Sequence, residues 1–541
     1  MNSSDLGIAY IRPTSARGNL LGELLAGMIL VTSSLSGLAQ TAPRWVGMTI
    51  RTTDLLPPGT QHGRYMLRQA SVMTSNGCHV AKGEGSPQEG CFVRQDGKPG
   101  RRYEMVANLV FSQNGKSLAY VAQKGKAWLA VVNECEDREF SAIAGEWFAL
   151  SASGAHHAYL ARESGPWVLV VDGRVQSYDE LTPINAPPVF SPVGDSVAYL
   201  ARDIQKNKLC WVLNGTPLGL HGGSDERSFA FSADGGHWVY SATEDGKWFR
   251  VVDGKQGPVF DAVSTDFVFS PDGQRTAYSG RKGQERFLVV DGTVEQKIEG
   301  LTDGTLVFSP DGRRLAYAVA RPDRSAHIVV DGQAGPVFDG GIGGSFPGRA
   351  TPSVAATSMG AVFGTATARA VAFSPDSRRF AYLAAKGLER VVIVDGKADD
   401  VSMDSMVGGL LFSDDSKHLA YGGRVGGRSF LVVDGKKETE YDAVGFFGLS
   451  PDGRHVAYSA LADGRWVVVV DGKERGTYAS VPAGPVFRSD GTLEFIYADD
   501  KSLYRAEIDI SPRSAEQKMT SKPSPNQVPE DTARKLVEPQ H

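Results

Sequence analysis

Several residue types recur in this 541-residue chain at spacings that could support chemistry. Asp-Gly or Asn-Gly steps begin at Asp96, Asp172, Asn214, Asp253, Asp291, Asp331, Asp395, Asp434 and Asp471, and loop carboxylates are the usual ligands of calcium. His156, His237, His418 and His455 share one repeat position, and imidazole is a common metal ligand. Trp128, Trp167, Trp248 and Trp466 each stand five residues before an Asp or Asn of the same kind, a spacing that could align an aromatic ladder for sugar rings. Cys78 and Cys91 form a disulfide candidate, since they fall on adjacent strands of one unit and an oxidising compartment favours bridging. Finally, Lys124, Arg162, Arg202, Arg281, Lys282, Arg321, Lys386 and Arg424 follow a repeated Ala-Tyr step by three or four residues. They could bind anions.

The strands that must position these residues explain most of them. A phrase such as FSPDGRRLAYAVA, followed by one such as HIVVDGQAGPVFD, recurs through the chain. Its tyrosines are Tyr120, Tyr159, Tyr199, Tyr240, Tyr278, Tyr317, Tyr382, Tyr421, Tyr458 and Tyr497, at successive spacings of 39, 40, 41, 38, 39, 65, 39, 37 and 39 residues. A near-constant period of this size is the mark of stacked or radial repeats. Each unit divides into four short strands. In one copy they are Leu306 to Ser309, Arg314 to Ala320, His327 to Gly332 and Gly335 to Asp339, with Pro310-Asp311-Gly312 turning the first into the second. Asx-Gly between apolar runs is the strongest short hairpin signal, because both turn residues reach positive φ. The Asp-Gly steps are therefore expected to be turns rather than calcium loops; only Asn133-Glu134 departs from the pattern.

Four antiparallel strands per repeat of this length define a propeller blade. The FSPDG…AY core resembles the WD-repeat-like β-propellers of the TolB type over residues 100 to 500, without the Trp-Asp ending of typical WD repeats. The fold expected is all-β, a β-propeller of about ten to eleven four-stranded blades, in one large ring or two tandem rings. A weaker first unit is expected at Tyr65 to Val72, Cys78 to Lys82, Cys91 to Gly97 and Tyr103 to Val106. The last unit lacks a fourth strand, which Trp45 to Thr52 could supply, closing a ring through the chain ends. The repeats then span 45–510, with a Gly-rich insert at 340–370 expected on a blade-to-blade connector.

The ends read differently. Arg12 and Arg17, the apolar run Leu24 to Val31 and the small-residue stretch ending at Ala39 fit a cleaved signal peptide over residues 1–39. Residues 511–541 are polar and proline-bearing, as disordered tails are. A periplasmic or secreted protein with no membrane span in its mature part is expected.

Other chemistry has little support. The histidine position is filled by Arg275, Arg314 and Arg379 in other copies; the interchange indicates a solvent-facing strand site, and no metal is expected. The tryptophans suit packing between blades. Cys135 and Cys210 should be unpaired. No Gly-x-Ser-x-Gly elbow, P-loop or dinucleotide fingerprint occurs, so no cofactor and no hydrolase domain are expected. A net charge of −5, from 57 Lys+Arg against 62 Asp+Glu, gives no footprint for nucleic acid.

Topology adds one point. The first–second and third–fourth turns share one end of every blade, which collects the Asp-Gly steps and should be acidic. The second–third turns and the connectors share the other. That end collects the cations after the Ala-Tyr step and should be basic. The reading is a non-catalytic, exported interaction platform for another envelope or extracellular protein or an anionic ligand, bound through Lys124, Arg162, Arg202, Arg281, Arg321, Lys386 and Arg424, with contacts from the insert. A propeller enzyme of the lyase, lactonase or glycan-cleaving sort with a central-channel site, or a carbohydrate-binding propeller, is the alternative.

Overall fold

The computed structural model describes residues 50–56, 71–73, 79–86, 90–144, 148–176, 181–184, 186–302, 304–343, 370–499 and 502–510. The expected signal peptide at 1–39, Cys78, most of the expected insert at 340–370 and the expected tail at 511–541 lie outside them. The described residues form eleven antiparallel sheets of four strand positions each, and residues from Trp45 onward form one compact unit. We number the sheets 1 to 11 in chain order. Sheet 1 is Ser71–Met73, Val80–Ser86, Gly90–Gln95 and Lys98–Tyr103. Sheet 7, representative of the rest, is Val307–Phe308, Leu315–Ala320, Ala326–Val330 and Gln333–Phe338. Sheets 2, 3, 4, 5 and 6 occupy 105–136, 142–176, 181–217, 223–256 and 262–298; sheets 8, 9 and 10 occupy 371–403, 405–437 and 443–478. The protein is a β-propeller.

Each local feature has a sequence cause. In sheet 7 the Ser309 hydroxyl donates to Asp311 Oδ1 at 2.5 Å and accepts the Arg314 N–H at 2.9 Å, closing the turn on which Gly312 takes φ 72°. The third–fourth turn places Asp331 at φ 52° and Gly332 at φ 79°, the two left-handed residues of a type I′ hairpin. Asn133-Glu134 adopts the same turn, with φ 49° and 63°. The second strand of the Ala-Tyr repeats is apolar on both faces over its central residues because sheets cover it on both sides. Leu315 to Val319 are all buried.

Packing runs from each sheet to the next. Ala316, Ala318 and Ile328 of sheet 7 form one cluster with Phe373, Phe380 and Tyr382 of sheet 8; Leu383, Val392, Leu419 and Tyr421 join sheets 8 and 9 in the same manner. Each fully buried Leu or Phe in such a cluster contributes about 2 kcal/mol by removal from water. In some copies the repeated tyrosine adds a polar link to the preceding sheet. Tyr159 donates to Asp137 at 3.0 Å and Tyr421 to Asp399 at 2.8 Å. Burial and the adjoining carboxylates push both phenols well above the ordinary tyrosine range.

The first and last described strands meet. Ile50–Leu56 pairs antiparallel with Ser502–Asp509, Ile50 opposite Ile508 and Asp54 opposite Tyr504, and completes sheet 11. Of the strand expected from Trp45 to Thr52, the described part starts at Ile50, and it continues to Leu56. In sheet 1 the fourth strand is Lys98–Tyr103 rather than Tyr103 to Val106; Met105–Phe111 already belongs to sheet 2.

The insert follows Gln333–Phe338 of sheet 7 and precedes Val371–Phe373 of sheet 8, with Ile342 on its near flank already bridged to Ala384 of sheet 8. From sheet 2 onward, the inner strand of each sheet is interrupted opposite the repeated tyrosine. In sheet 6, Val263 pairs with Gly280 and Phe267 with Tyr278, with an irregularity between them; sheets 2, 9 and 10 repeat this. In sheet 8, Ile342 pairs with Ala384 and Val371 with Tyr382. The Gly343 N–H donates to Leu383 O at 3.0 Å, and the Leu383 N–H donates to Ala370 O at 2.7 Å. The two described flanks of residues 344–369, Gly343 and Ala370, therefore meet the peptide groups of one residue, Leu383, on the second strand. The spacing of tyrosines locates an insertion only between 317 and 382; strand register places it.

Candidate interaction surface

The end of the sheets expected to be acidic carries its third–fourth-turn carboxylates in contacts. Seven of them have a partner two residues before the Ala-Tyr step. His156 Nδ1 lies 2.7 Å from Asp172 Oδ2, His237 2.7 Å from Asp253, His418 2.6 Å from Asp434 and His455 2.8 Å from Asp471. Where arginine replaces histidine, Nε makes the same contact: Arg275 with Asp291 at 3.1 Å, Arg314 with Asp331 at 2.9 Å and Arg379 with Asp395 at 3.1 Å. The position is therefore a paired one, not simply solvent-facing. What histidine and arginine share is an N–H donor at the reach of this carboxylate. Arginine extends further, since Arg314 Nη1 donates to the Ser377 and Arg378 carbonyls of the next sheet. The same contacts engage the Asp-Gly carboxylates as hairpin caps.

At the opposite end, the last residue of the outer strand or connector caps the second–third turn of the following sheet. Glu104 accepts from the Gly125 N–H at 2.9 Å, Asp261 from Gly283 at 2.6 Å, Asp339 from Gly387 at 2.9 Å and Asp404 from Gly426 at 2.8 Å. The Gly283 bond, then Lys247, hold the Asp261 carboxyl below the ordinary range. A carboxylate thus accompanies these junctions, and the end is mixed in charge rather than uniformly basic.

All seven expected binding residues do lie at this end, and they divide into two groups. Lys124 sits 3.4 Å from Glu136 and 3.7 Å from Glu139, and Arg321 3.6 Å from Glu299. Arg162, Arg202, Arg281, Lys386 and Arg424 are exposed. Among the described residues, none of these five has a carboxylate within 4 Å. Arg162 lies over the Trp167 ring at 5.0 Å; Arg281 and Arg424 bond the carbonyls of Gly283 and Gly427. Arg162 and Arg202 occupy neighbouring sheets 3 and 4. Sheet 5 interrupts the series, because Glu244 stands there and pairs with Lys208 at 2.7 Å.

The same turns carry apolar side chains that the repeat does not require. Leu388 is 95% exposed and Ile204 67%. Val425 is also exposed. Each accompanies a free cation in its own turn: Arg202 with Ile204, Lys386 with Leu388, Arg424 with Val425. The signal was in the sequence, since Leu388 follows Lys386-Gly387 where another copy has Gln284 after Lys282-Gly283.

The remaining candidates are structural. Trp128, Trp167, Trp248 and Trp466 are half-buried; Trp167 packs at the junction of sheets 3 and 4 and Trp466 at that of sheets 10 and 11. Cys91 is a free, buried thiol whose cross-strand neighbour is Gly85, and burial raises its pKa. Cys78 lies outside the described residues, so the one described member of the expected pair is unbridged. Cys135 and Cys210 are also free. No described helix is long and apolar enough to cross a membrane.

A propeller whose second–third turns present unpaired cations beside exposed apolar side chains is the class that fold and surface define. No family model matches the chain, and no curated protein matches it. Solved structures similar to it include a eukaryotic initiation factor, at 10% identity over 78% of this chain and 97% of the other, with a TM-score of 0.35. TolB from Acinetobacter baumannii matches at 15% identity over 59% of this chain and 78% of the other, with a TM-score of 0.22. The β-propeller domain of the Trilobed protease from Pyrococcus furiosus matches at 11% identity over 56% and 96%, with a TM-score of 0.25. At these scores the similarities carry no functional argument.

Proposed function

We propose that the protein is a non-catalytic, exported interaction platform that binds an acidic partner through its second–third turns. The observation that carries this reading is the pairing, in three turns, of a cation lacking a carboxylate partner with an apolar side chain in solvent: Arg202 with Ile204, Lys386 with Leu388 and Arg424 with Val425. Cations with carboxylate partners are ordinary surface chemistry. A free cation beside an exposed leucine, isoleucine or valine instead offers an electrostatic contact and an apolar anchor in one place, as interface hot spots do. The partner fitting it is an envelope or extracellular protein with an acidic, apolar-bearing segment. A net charge of −5 gives no footprint for nucleic acid, and no cofactor enters this reading.

The test uses synthetic peptides rich in Asp and Glu with interspersed Leu and Phe, measured by fluorescence anisotropy against the full chain at several salt concentrations. Binding should weaken with salt, and replacement of Arg162, Arg202, Arg281 and Arg424 by alanine should weaken it and flatten the salt dependence. Leu388→Ser with Ile204→Ser should weaken binding while leaving the salt slope unchanged. Absence of binding by the wild type, or an unchanged affinity in the four-arginine variant, refutes the assignment.

A further inference from the structure

Sheets 3 and 4 depart from the repeat at the end remote from the proposed binding turns. In sheet 7 the first–second turn reads Ser309-Pro310-Asp311-Gly312-Arg313, and sheets 8, 9 and 10 also carry a cation at the last position, at Arg378, Lys417 and Arg454. Sheet 4 reads Ser191-Pro192-Val193-Gly194-Asp195. Valine cannot accept from the serine, so the Ser191 hydroxyl has no partner, and the carboxylate appears where other sheets have a cation. His156 of sheet 3 faces it. His156 Nδ1 is 2.7 Å from Asp172 Oδ2 within its own sheet, and Nε2 is 3.2 Å from Asp195 Oδ1 in the next.

We propose that His156 is an acid-strengthened clasp between sheets 3 and 4, engaged by its second ring proton. A neutral imidazole carries one N–H and one lone pair. With a carboxylate oxygen on each nitrogen, one of the two contacts sets a lone pair against negative charge unless the ring is protonated. The other histidines at this position differ. His237 donates to Asp253 and its second nitrogen meets the side-chain amide of Gln274 at 3.1 Å, which satisfies a neutral ring. Among the described residues, His418 and His455 have one carboxylate each within 4 Å.

The charged and titratable groups around the clasp come from three sheets. Asp172 also accepts the His157 N–H at 3.0 Å and lies 3.5 Å from His157 Nδ1. His157 Nε2 meets Asp137 of sheet 2 at 2.7 Å, and Asp137 accepts from Tyr159. The Asp172 bond, opposed by partial burial and reinforced by Asp195, raises the His156 pKa above its ordinary value. A raised folded-state value means the contribution is complete below the ordinary imidazole pKa and is lost as pH rises through the folded one.

Histidine-selective 13C labelling of the full chain allows the titration of His156 to be followed by NMR, with the Ser191 amide, which donates to Ser196 O, as a hydrogen-exchange reporter for sheet 4. The wild-type ring should titrate above the ordinary imidazole value, and Asp195→Asn should lower its midpoint. After correction for intrinsic exchange, Ser191 protection should rise on acidification by roughly two- to fivefold, the range an exposed pair supports, and that rise should vanish in Asp195→Asn. A His156 midpoint unmoved by Asp195→Asn, or an equal rise in both proteins, overturns the proposal.

Discussion

Replacing Asp331 by alanine isolates what one turn carboxylate does. Its Oδ1 accepts the Leu315 N–H at 3.0 Å, its Oδ2 meets Arg314 Nε at 2.9 Å, and its backbone holds φ 52°. Alanine in the left-handed region costs about 1 kcal/mol. Leaving the half-buried Leu315 N–H without its acceptor costs about 1.5 kcal/mol. The ion pair, with both side chains roughly a third to a half exposed, is screened and adds about 0.5 kcal/mol. Asp331→Ala should therefore destabilise by about 3 kcal/mol. Asparagine tolerates the same φ and keeps an acceptor for Leu315, so Asp331→Asn should cost only about 0.5 kcal/mol. Urea titrations followed by tryptophan fluorescence compare the two at unchanged m-value. An alanine variant no less stable than the asparagine variant would show that the turn charge, not the cap, matters.

Three further outcomes are expected. Tyr421→Phe removes the bond to Asp399 across a sheet junction and should cost about 1–2 kcal/mol in the same assay, whereas Tyr382→Phe removes a buried hydroxyl without a partner and should be nearly neutral. The Ser413 bond, followed by the Lys417 N–H, holds Asp415 down at about 2, and serine bonds hold Asp272, Asp311, Asp376 and Asp452 low in the same way. Depressed carboxylates stabilise above their unfolded pKa near ~4 and cease to do so as pH falls through the folded values; circular dichroism should show stability falling between about pH 4 and 2, with a smaller acid-sensitive part in Ser413→Ala. Deleting residues 50–56 strips the partner from Ser502–Asp509 and should lower the melting temperature and promote self-association, measured by calorimetry and light scattering.

The parts of this molecule legible in sequence are those where one residue type has one geometric use. Asx-Gly steps gave the hairpins because few residues adopt φ near 50°, and the Ala-Tyr step marked the second strand because both of its faces must be apolar. Lys98–Tyr103 was misplaced because an outer strand needs no apolar face, and Lys98-Pro99-Gly100 reads as loop. The charge of each end was misjudged because composition shows a turn's carboxylate without the His or Arg that meets it 16 or 17 residues away. The free cations were found, but their separation from Lys124 and Arg321 depends on where Glu136, Glu139 and Glu299 fall in space.

The interruption of the inner strand opposite the repeated tyrosine, from sheet 2 onward, makes the propeller modular in a second sense. At that point the ladder to the second strand is already broken, so lengthening the chain there forfeits no cross-strand bonds and adds only loop-closure entropy, which grows slowly with length. In sheet 8 residues 344–369 fall at this point of the chain, and the flanking Ile342 and Val371 keep their pairing with Ala384 and Tyr382. Gly408-Gly409 of sheet 9, between Val407 and Leu411, is the equivalent splice point one sheet on. A reporter domain grafted there should leave the neighbouring sheets assembled, giving the ten repeats from sheet 2 onward a common address for new cargo.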